Sequence, residues 1–406
     1  MPLRGYDEEA FLRWIGHQPD ADGPRLIFAD WLDEHGDPRG EFIRVQCALA
    51  QLTDDDPRRA DLHDRERQLL AQHEPTWTRP LRYLASGYGF NRGIIDFVAL
   101  EAKTFLDNAR DLFRRTPLQR IRLTNVGGAL HRLAQSPHLL RVRQLDLCGS
   151  ELGDEGVRLL TQSTYLSRLE VLDLSSSGIS DSGAAALAST PTLSRLHTLL
   201  LTMNAVGDAG TRALALSRTL PHLRTLDLGG NRVGDAGVDA LAHGPGAEFL
   251  HTLTLASNQV GAVGMRALAP SDLFQRMIQQ HATLDLSGNR LGPDGAAALA
   301  ASPHCVGIVA LDLTGNQIDD AGLAALAEGR YWQQLRHLHL ANNQLHDAGA
   351  TALAHAPLLS RLARIDLSEN FISPTGAERL ENSPYRHWRT AIDTSRNSAL
   401  PLSTDR

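Results

Sequence analysis

The chain has 406 residues, of which 42% are hydrophobic, 21% charged and 5% aromatic. That is enough for two or more domains or one long array, and too ordinary in charge for wholesale disorder. Forty basic against 47 acidic residues leave a net charge of −7, which argues against a nucleic-acid coat or an anionic-membrane binder. Cys47, Cys148 and Cys305 share no motif spacing, the first residues hold no apolar leader core, and no apolar run approaches the ~18 residues of a membrane span. A cytoplasmic setting without disulfides or structural zinc is therefore expected.

Residues 1–75 read as four helices: 7–15, 24–35 with Gly36 as its stop, 37–52 opened by Asp37-Pro38, and 56–73 opened by Asp56-Pro57. Trp14, Ile27, Trp31, Leu32, Phe42, Ile43 and Leu49 give the first three an apolar face. Asp30, Asp33, Glu34 and Glu41 read either as solvated faces and caps or as an acidic docking or metal cluster. The run PRLIFADWLDEHGDPRGEFIRVQCALAQL closely resembles the repeat-companion domain at the front of some bacterial leucine-rich-repeat proteins, over about residues 5–52. The resemblance implies architecture and brings no catalytic residues.

Residues 76–95 are rich in Pro, Gly and aromatics and suggest a packed connection. IIDFVAL and LQRIRL then look like two degenerate strands, the second placing Ile121 and Leu123 at Leu-x-Leu positions, with the helical front expected to cover the first sheet edge. From 96 to 397 a repeat dominates. Its first Leu or Ile falls at 145, 172, 199, 226, 253, 284, 311, 338, 365 and 392, and every interval is 27 residues except 253 to 284, which is 31. Leu-x-Leu has period 2, so both leucines face one side of a short strand. A Gly is then followed by Asp (Asp154, Asp208, Asp235), a residue suited to capping a helix, with Pro293 and Pro374 in the equivalent place of two other repeats.

Two columns are invariant over nine repeats: Gly from Gly156 to Gly376, and Leu from Leu160 to Leu380. Four residues apart, they share a helix face; the Leu is expected inward, with the Gly letting helix and strand approach. A third column is Ser150, Ser177, then Asn from Asn204 to Asn397. An inward Asn donates and accepts at once, and is expected to bond the backbone of its own and the next turn. The four extra residues near 273–280 fit a longer helix or loop on the convex side.

The consensus, plainest in LDLSGNRLGPDGAAALA from Leu284, resembles the leucine-rich repeat of the ribonuclease-inhibitor type over about three-quarters of the chain. Strands about 4.8 Å apart and helices about 10 Å apart bend such an array. The expected fold is an α/β leucine-rich-repeat solenoid: a curved horseshoe with the parallel sheet concave and the helices convex, behind an all-α N-terminal cap. Tyr385, Trp388 and the strand AIDTSRN are expected to close the far end, with residues 398–406 as a frayed tail.

No phosphate loop, Gly-x-Ser-x-Gly, His-Glu-x-x-His or spaced Cys-His pair occurs, so neither catalysis nor a cofactor is expected. Function should sit on the middle position of Leu-x-Leu, which reads Asp146, Asp173, Leu200, Asp227, Thr254, Asp285, Asp312, His339, Asp366 and Asp393, flanked mostly by small residues. Carboxylates on adjacent strands repel by about 0.9 kcal/mol even in bulk water, and three Asp never run in succession. The column reads either as a surface for a basic partner or as idle consensus. His337 and His339 project from one strand beside Asp312 and Asp366, a pH-sensitive contact whose open geometry suits a metal poorly. The expectation is a monomeric, non-catalytic module that binds a protein with a basic surface, and neither nucleic acid nor membrane, through Asp146, Asp173, Asp227, Asp285, Asp312, His337, His339 and Asp366. The resemblance alternatively implies an inhibitor or GTPase-activating regulator of a partner enzyme, against which the scarcity of aromatic anchors on that face counts.

Overall fold

The structure, a computed structural model, describes residues 7–397, which fall into two compact units: 7–150 with 162–173, and 151–161 with 174–397. The first unit begins with α1 (Glu8–His17), α2 (Asp22–Glu34), α3 (Arg39–Gln51) and α4 (Arg58–Trp77). Asp7 caps α1 by accepting the Ala10 amide at 2.8 Å, and Gly36 ends α2 with a φ of +69°. The buried stripe of α2 is Arg25, Phe28, Ala29 and Leu32, spaced i, i+3, i+4, i+7. Ile27 falls off that stripe and is 37% exposed. Trp14, roughly 200° around α1 from Leu12, is 40% exposed. Both were expected inward, and Phe11 and Phe28 take the core in their place.

The connection contains a strand that the composition hid. β1 (Gly87–Asn91) pairs antiparallel with β2 (Ile94–Glu101) and so occupies the sheet edge that the helices were expected to cover. The helices pack against its Phe90 and against Ile94 of β2. At the hairpin turn Gly93 has a φ of +81°, and a Cβ there would lie 2.3 Å from Ile43 Cα. β2, β3 (Arg120–Thr124), β4 (Gln144–Asp146) and β5 (Val171–Asp173) run parallel in chain order, with α5 (Ala102–Arg115) and α6 (Leu130–Ala134) among their connections.

The second unit alternates helix and strand. Its strands are β6 (Thr198–Leu200), β7 (Thr225–Asp227), β8 (Thr252–Thr254), β9 (Thr283–Asp285), β10 (Ala310–Asp312), β11 (His337–His339), β12 (Arg364–Asp366) and β13 (Ala391–Asp393). Its helices are α7 (Gly153–Thr161), α8 (Asp181–Ser189), α9 (Asp208–Ala215), α10 (Asp235–His243), α11 (Ala262–Leu268), α12 (Asp272–Gln280), α13 (Gly292–Ala300), α14 (Asp320–Glu328), α15 (Asp347–Ala354) and α16 (Pro374–Glu381). β6–β8 pair in parallel and β9–β13 do likewise, first leucine opposite first leucine. The anchors from Leu199 to Ile365 and the helix leucines from Leu160 to Leu380 are all buried, which makes this a leucine-rich-repeat, solenoid-like α/β fold with stacked aliphatic layers. The far end is closed differently from expectation. Trp388 is 76% exposed and Tyr385 is exposed as well, so neither side chain enters the core. The expected tail, 398–406, lies outside the described residues.

The Asn column is inward, but it bonds backward. Asn204 Nδ2 donates to Leu201 O of its own turn and Leu174 O of the preceding one, while its Oδ1 accepts the preceding turn's Ser177 and Ile179 amides. Asn289 repeats this with Leu286 O, Leu255 O and the Val260 amide at 2.8–3.0 Å. The residue before each Asn takes a left-handed φ, as at Met203, Gly230, Ser257 and Gly288, and this turns the amide inward. Ser150, where the column has no Asn, leaves its buried Oγ without a partner.

The Asp column works forward, and where it is present it accounts for the glycine of the next helix. Asp181 Oδ1 accepts from Gly207 N at 2.7 Å and Gly210 N at 2.8 Å, so it caps the next helix and not its own. Asp154 serves Ser180 and Gly183 in the same way, and Asp208 serves Gly234 and Gly237. A Cβ on Gly210 or Gly237 would meet that carboxylate oxygen at 2.7 or 2.8 Å. In these repeats the glycine therefore makes room for a neighbour's carboxylate, whereas at Gly295 and Gly322 a Cβ would meet Leu291 and Ala262, or Ile318 and Pro293. Where Pro293 replaces the Asp, Asp319 caps its own helix through Gly322 N.

Asn289→Leu removes the backward link and strands buried carbonyls; a loss of about 1–3 kcal/mol is expected in urea unfolding. Gly237→Ala should cost a further about 1–3 kcal/mol by overpacking, and less in an Asp208→Ala background, a coupling that a double-mutant cycle reads directly. Asp154 is raised by burial but held below the ordinary carboxylate range by the Ser180 hydroxyl and the Ser180 and Gly183 amides. Its contribution is then complete above the unfolded value of 3.8 and lost as pH falls through the lower folded one. Asp154→Asn should flatten the acid limb of stability below that pH.

Candidate functional site

Each repeat strand ends on the middle residue of Leu-x-Leu, and there the chain turns. In that turn the Asp Oδ1 accepts the amide two residues on: Asp146 from Cys148, Asp227 from Gly229, Asp285 from Ser287, Asp312 from Thr314 and Asp366 from Ser368, at 2.9–3.0 Å. This local turn gives the recurrent Asp a structural cause, and it engages one oxygen only. No protein group hydrogen-bonds the second oxygen of Asp227, Asp285 or Asp312 among the described residues.

The face is less uniformly acidic than its middle column. In the first unit Asp146 and the half-buried Asp173 stand opposite each other, and Asp146 Oδ2 also faces Arg122 Nε on β3 at 3.4 Å. In the second, His339 stands in register between Asp312 and Asp366, with its Nδ1 4.0 Å from Asp366 Oδ2, beyond hydrogen-bond reach. His337 stands in register beside Arg364, an exposed cation one position before the anchor. Sequence reasoning passed over Arg122, which shares the register of the Asp column but precedes the first aligned repeat, and Arg364, which lies two positions before Asp366 on the same strand face. The carboxylates least answered by local cations are therefore Asp227, Asp285 and Asp312, and of the eight candidates Asp285 alone is exposed, the others being half-buried.

Three of the four acidic candidates in the helical front, Asp30, Asp33 and Glu41, are paired. Arg44 clasps Asp30 and Asp33 at 2.6 Å each, and Arg65 holds both oxygens of Glu41. No group of three or more His, Cys, Asp or Glu that could hold a metal occurs among the described residues. All three cysteines are free thiols, and burial pushes those of Cys47 and Cys305 up to about 12, which keeps them protonated and poorly nucleophilic at neutral pH.

The sequence model of the leucine-rich-repeat family matches residues 166–188, 219–242, 247–269, 283–300, 308–327 and 333–354. The chain carries leucine-rich repeats. The last five matched leucine-rich segments each take in a strand, from β7 to β11, and helical residues after it. The matching model describes a repeat and not a catalytic domain. No curated protein matches the chain. Among solved structures, the chain is similar to an internalin (inlF) of Listeria monocytogenes, with 18% identity, a TM-score of 0.44, and coverage of 76% of this chain and 84% of that one. It is similar to internalin C2 of the same organism at 22% identity and a TM-score of 0.37, over 57% and 83% of the two chains. It is also similar to TLR13 in a complex with ssRNA13, at 19% identity and 0.40, over 70% of this chain and 37% of that one. No helix among the described residues is long and apolar enough to cross a membrane.

Proposed function

We propose that this is a non-catalytic, monomeric interaction module of the cytoplasm. Residues 1–75 form a repeat-companion domain, 76–95 a connection, 96–397 leucine-rich repeats of the ribonuclease-inhibitor type and 398–406 a tail. The repeats hold a protein partner with a basic surface on the outward, concave face of the sheet. Leucine-rich-repeat domains generally mediate protein–protein interaction, and an acidic face disfavours nucleic acid and anionic membrane alike. The observation that carries this reading is the set of carboxylates at Asp227, Asp285 and Asp312. Each is fixed by one oxygen in its turn and, among the described residues, has no protein hydrogen bond to the other. A carboxylate held rigid in this way loses little side-chain freedom when an arginine docks on it. His337, His339 and Asp366 extend the face, and Asp146 and Asp173 supply its counterpart in the first unit.

The test is fluorescence anisotropy of a labelled oligo-arginine peptide. Asp→Asn at 227, 285 and 312 together keeps the turn acceptor and removes only charge. The wild type should bind, about tenfold or more tightly than the triple variant at low salt, with the difference shrinking as salt rises. Equal binding by the two proteins would overturn the acidic-face reading.

A further inference from the structure

The sheet of the second unit opens at one place. Between β8 and β9 no ladder forms, although the strands on either side pair in parallel with their own neighbours. The cause is the one irregular repeat interval. In the regular repeats the residue before a strand hands its carbonyl to two amides of the next turn, as His197 O does to Arg224 and Thr225. Before β9 the chain instead forms α12, capped by Ser271 Oγ on the Phe274 amide, whose Leu273, Phe274, Met277 and Ile278 are buried. Arg276 of α12 reaches back to the Leu250 and Ala247 carbonyls. The two strand starts are bridged only by side chains, Thr252 Oγ1 and His281 Nε2 at 2.9 Å. Past the strands the turns rejoin, with the Ser257 amide on Ser287 O and Asn289 on Leu255 O. The gap is therefore a wedge, open at the strand starts and closed at their ends.

Within it lies a cavity of about 230 Å³. Its floor is Leu253, Leu284, Met277 and Ile278. Leu253 is 7% exposed and Leu284 4%, against at most 1% for the other anchors from Leu145 to Ile365. Its rim carries His251, His281 and the exposed Asp285. The volume falls below the ~300 Å³ at which pockets begin to enclose a drug-sized molecule, and suits a single large side chain. The floor is apolar, the imidazoles offer flat faces to an aromatic ring, and the rim carboxylate continues into Asp312 on the next strand.

We infer that this wedge is the anchor pocket of the interaction face. It takes one aromatic side chain from an arginine-bearing segment of the partner, with the flanking arginines on Asp285 and Asp312. The inference rests on the acidic-face reading and adds to it the apolar anchor that a chain of carboxylates lacks; tight interfaces concentrate their energy in such a buried ring.

The probes are two labelled peptides of alternating Gly and Arg, one with Trp at its centre and one with Gly there, titrated against the full chain. The Trp peptide should bind about tenfold more tightly, and that advantage should vanish in Thr283→Phe, which fills the wedge from an exposed position, and in His281→Trp. Circular dichroism confirms that each variant is folded. Equal affinity for the two peptides, or a Trp advantage that survives both filled variants, overturns the anchor pocket. In either case a loss of binding by both peptides in the Asp227, Asp285 and Asp312→Asn protein would leave the acidic face standing. Failure of both peptides to bind the wild type overturns both.

Discussion

Most aliphatic layers of the second unit sit between two sets of polar side chains that satisfy a neighbour's backbone. On the strand side an asparagine reaches to the turn before it, and on the helix side an aspartate reaches to the turn after it. The buried leucines supply the apolar driving force but are indifferent to register, since any aliphatic row packs on another. The amide and carboxylate are not indifferent, because a slip of one residue leaves peptide groups buried without partners, at a cost comparable to burying a whole leucine. Stacking order is thus fixed by polar contacts that each extend over a single interval.

The same economy shapes the outward face. Asp at the strand end is retained first by its turn, through the amide two residues on, and its negative charge comes with it. Under the proposed binding role, selectivity on this scaffold would come from departures from the repeat, such as the cations at Arg122 and Arg364, the imidazoles on β11 and the wedge beside β9. A strictly regular array would present an even acidic stripe with nothing to distinguish one partner from another.

The period, the buried leucine columns, the inward asparagines and the four front helices were legible because each residue type answers one contact repeated many times. The direction of those contacts was not. A column says that Asn204 faces a neighbour but not whether the neighbour precedes or follows, and it says that Gly210 lacks a side chain but not that Asp181 fills the space. Trp14 and Ile27 misled because a short helix with apolar residues on several sides leaves the inward face undetermined until its neighbours are known. β1 was hidden by glycines and aromatics that read as a packed connection. At the candidate face, the eight residues were visible from alternation alone, whereas their local partners were not. The insertion was plain from the count of residues, but a count does not say that the slack would be taken up by parting two strands.

The stretch around α11 and α13 lacks both kinds of reinforcement found elsewhere. Ala262 and Pro293, in successive turns, stand where most turns have a carboxylate, and no ladder joins β8 to β9. An array held by nearest-neighbour couplings melts in blocks wherever one coupling is thin. This junction is the natural seam between two such blocks, so that heat, denaturant or a pulling force meets two cooperative segments in tandem where an unbroken spring would have yielded as one.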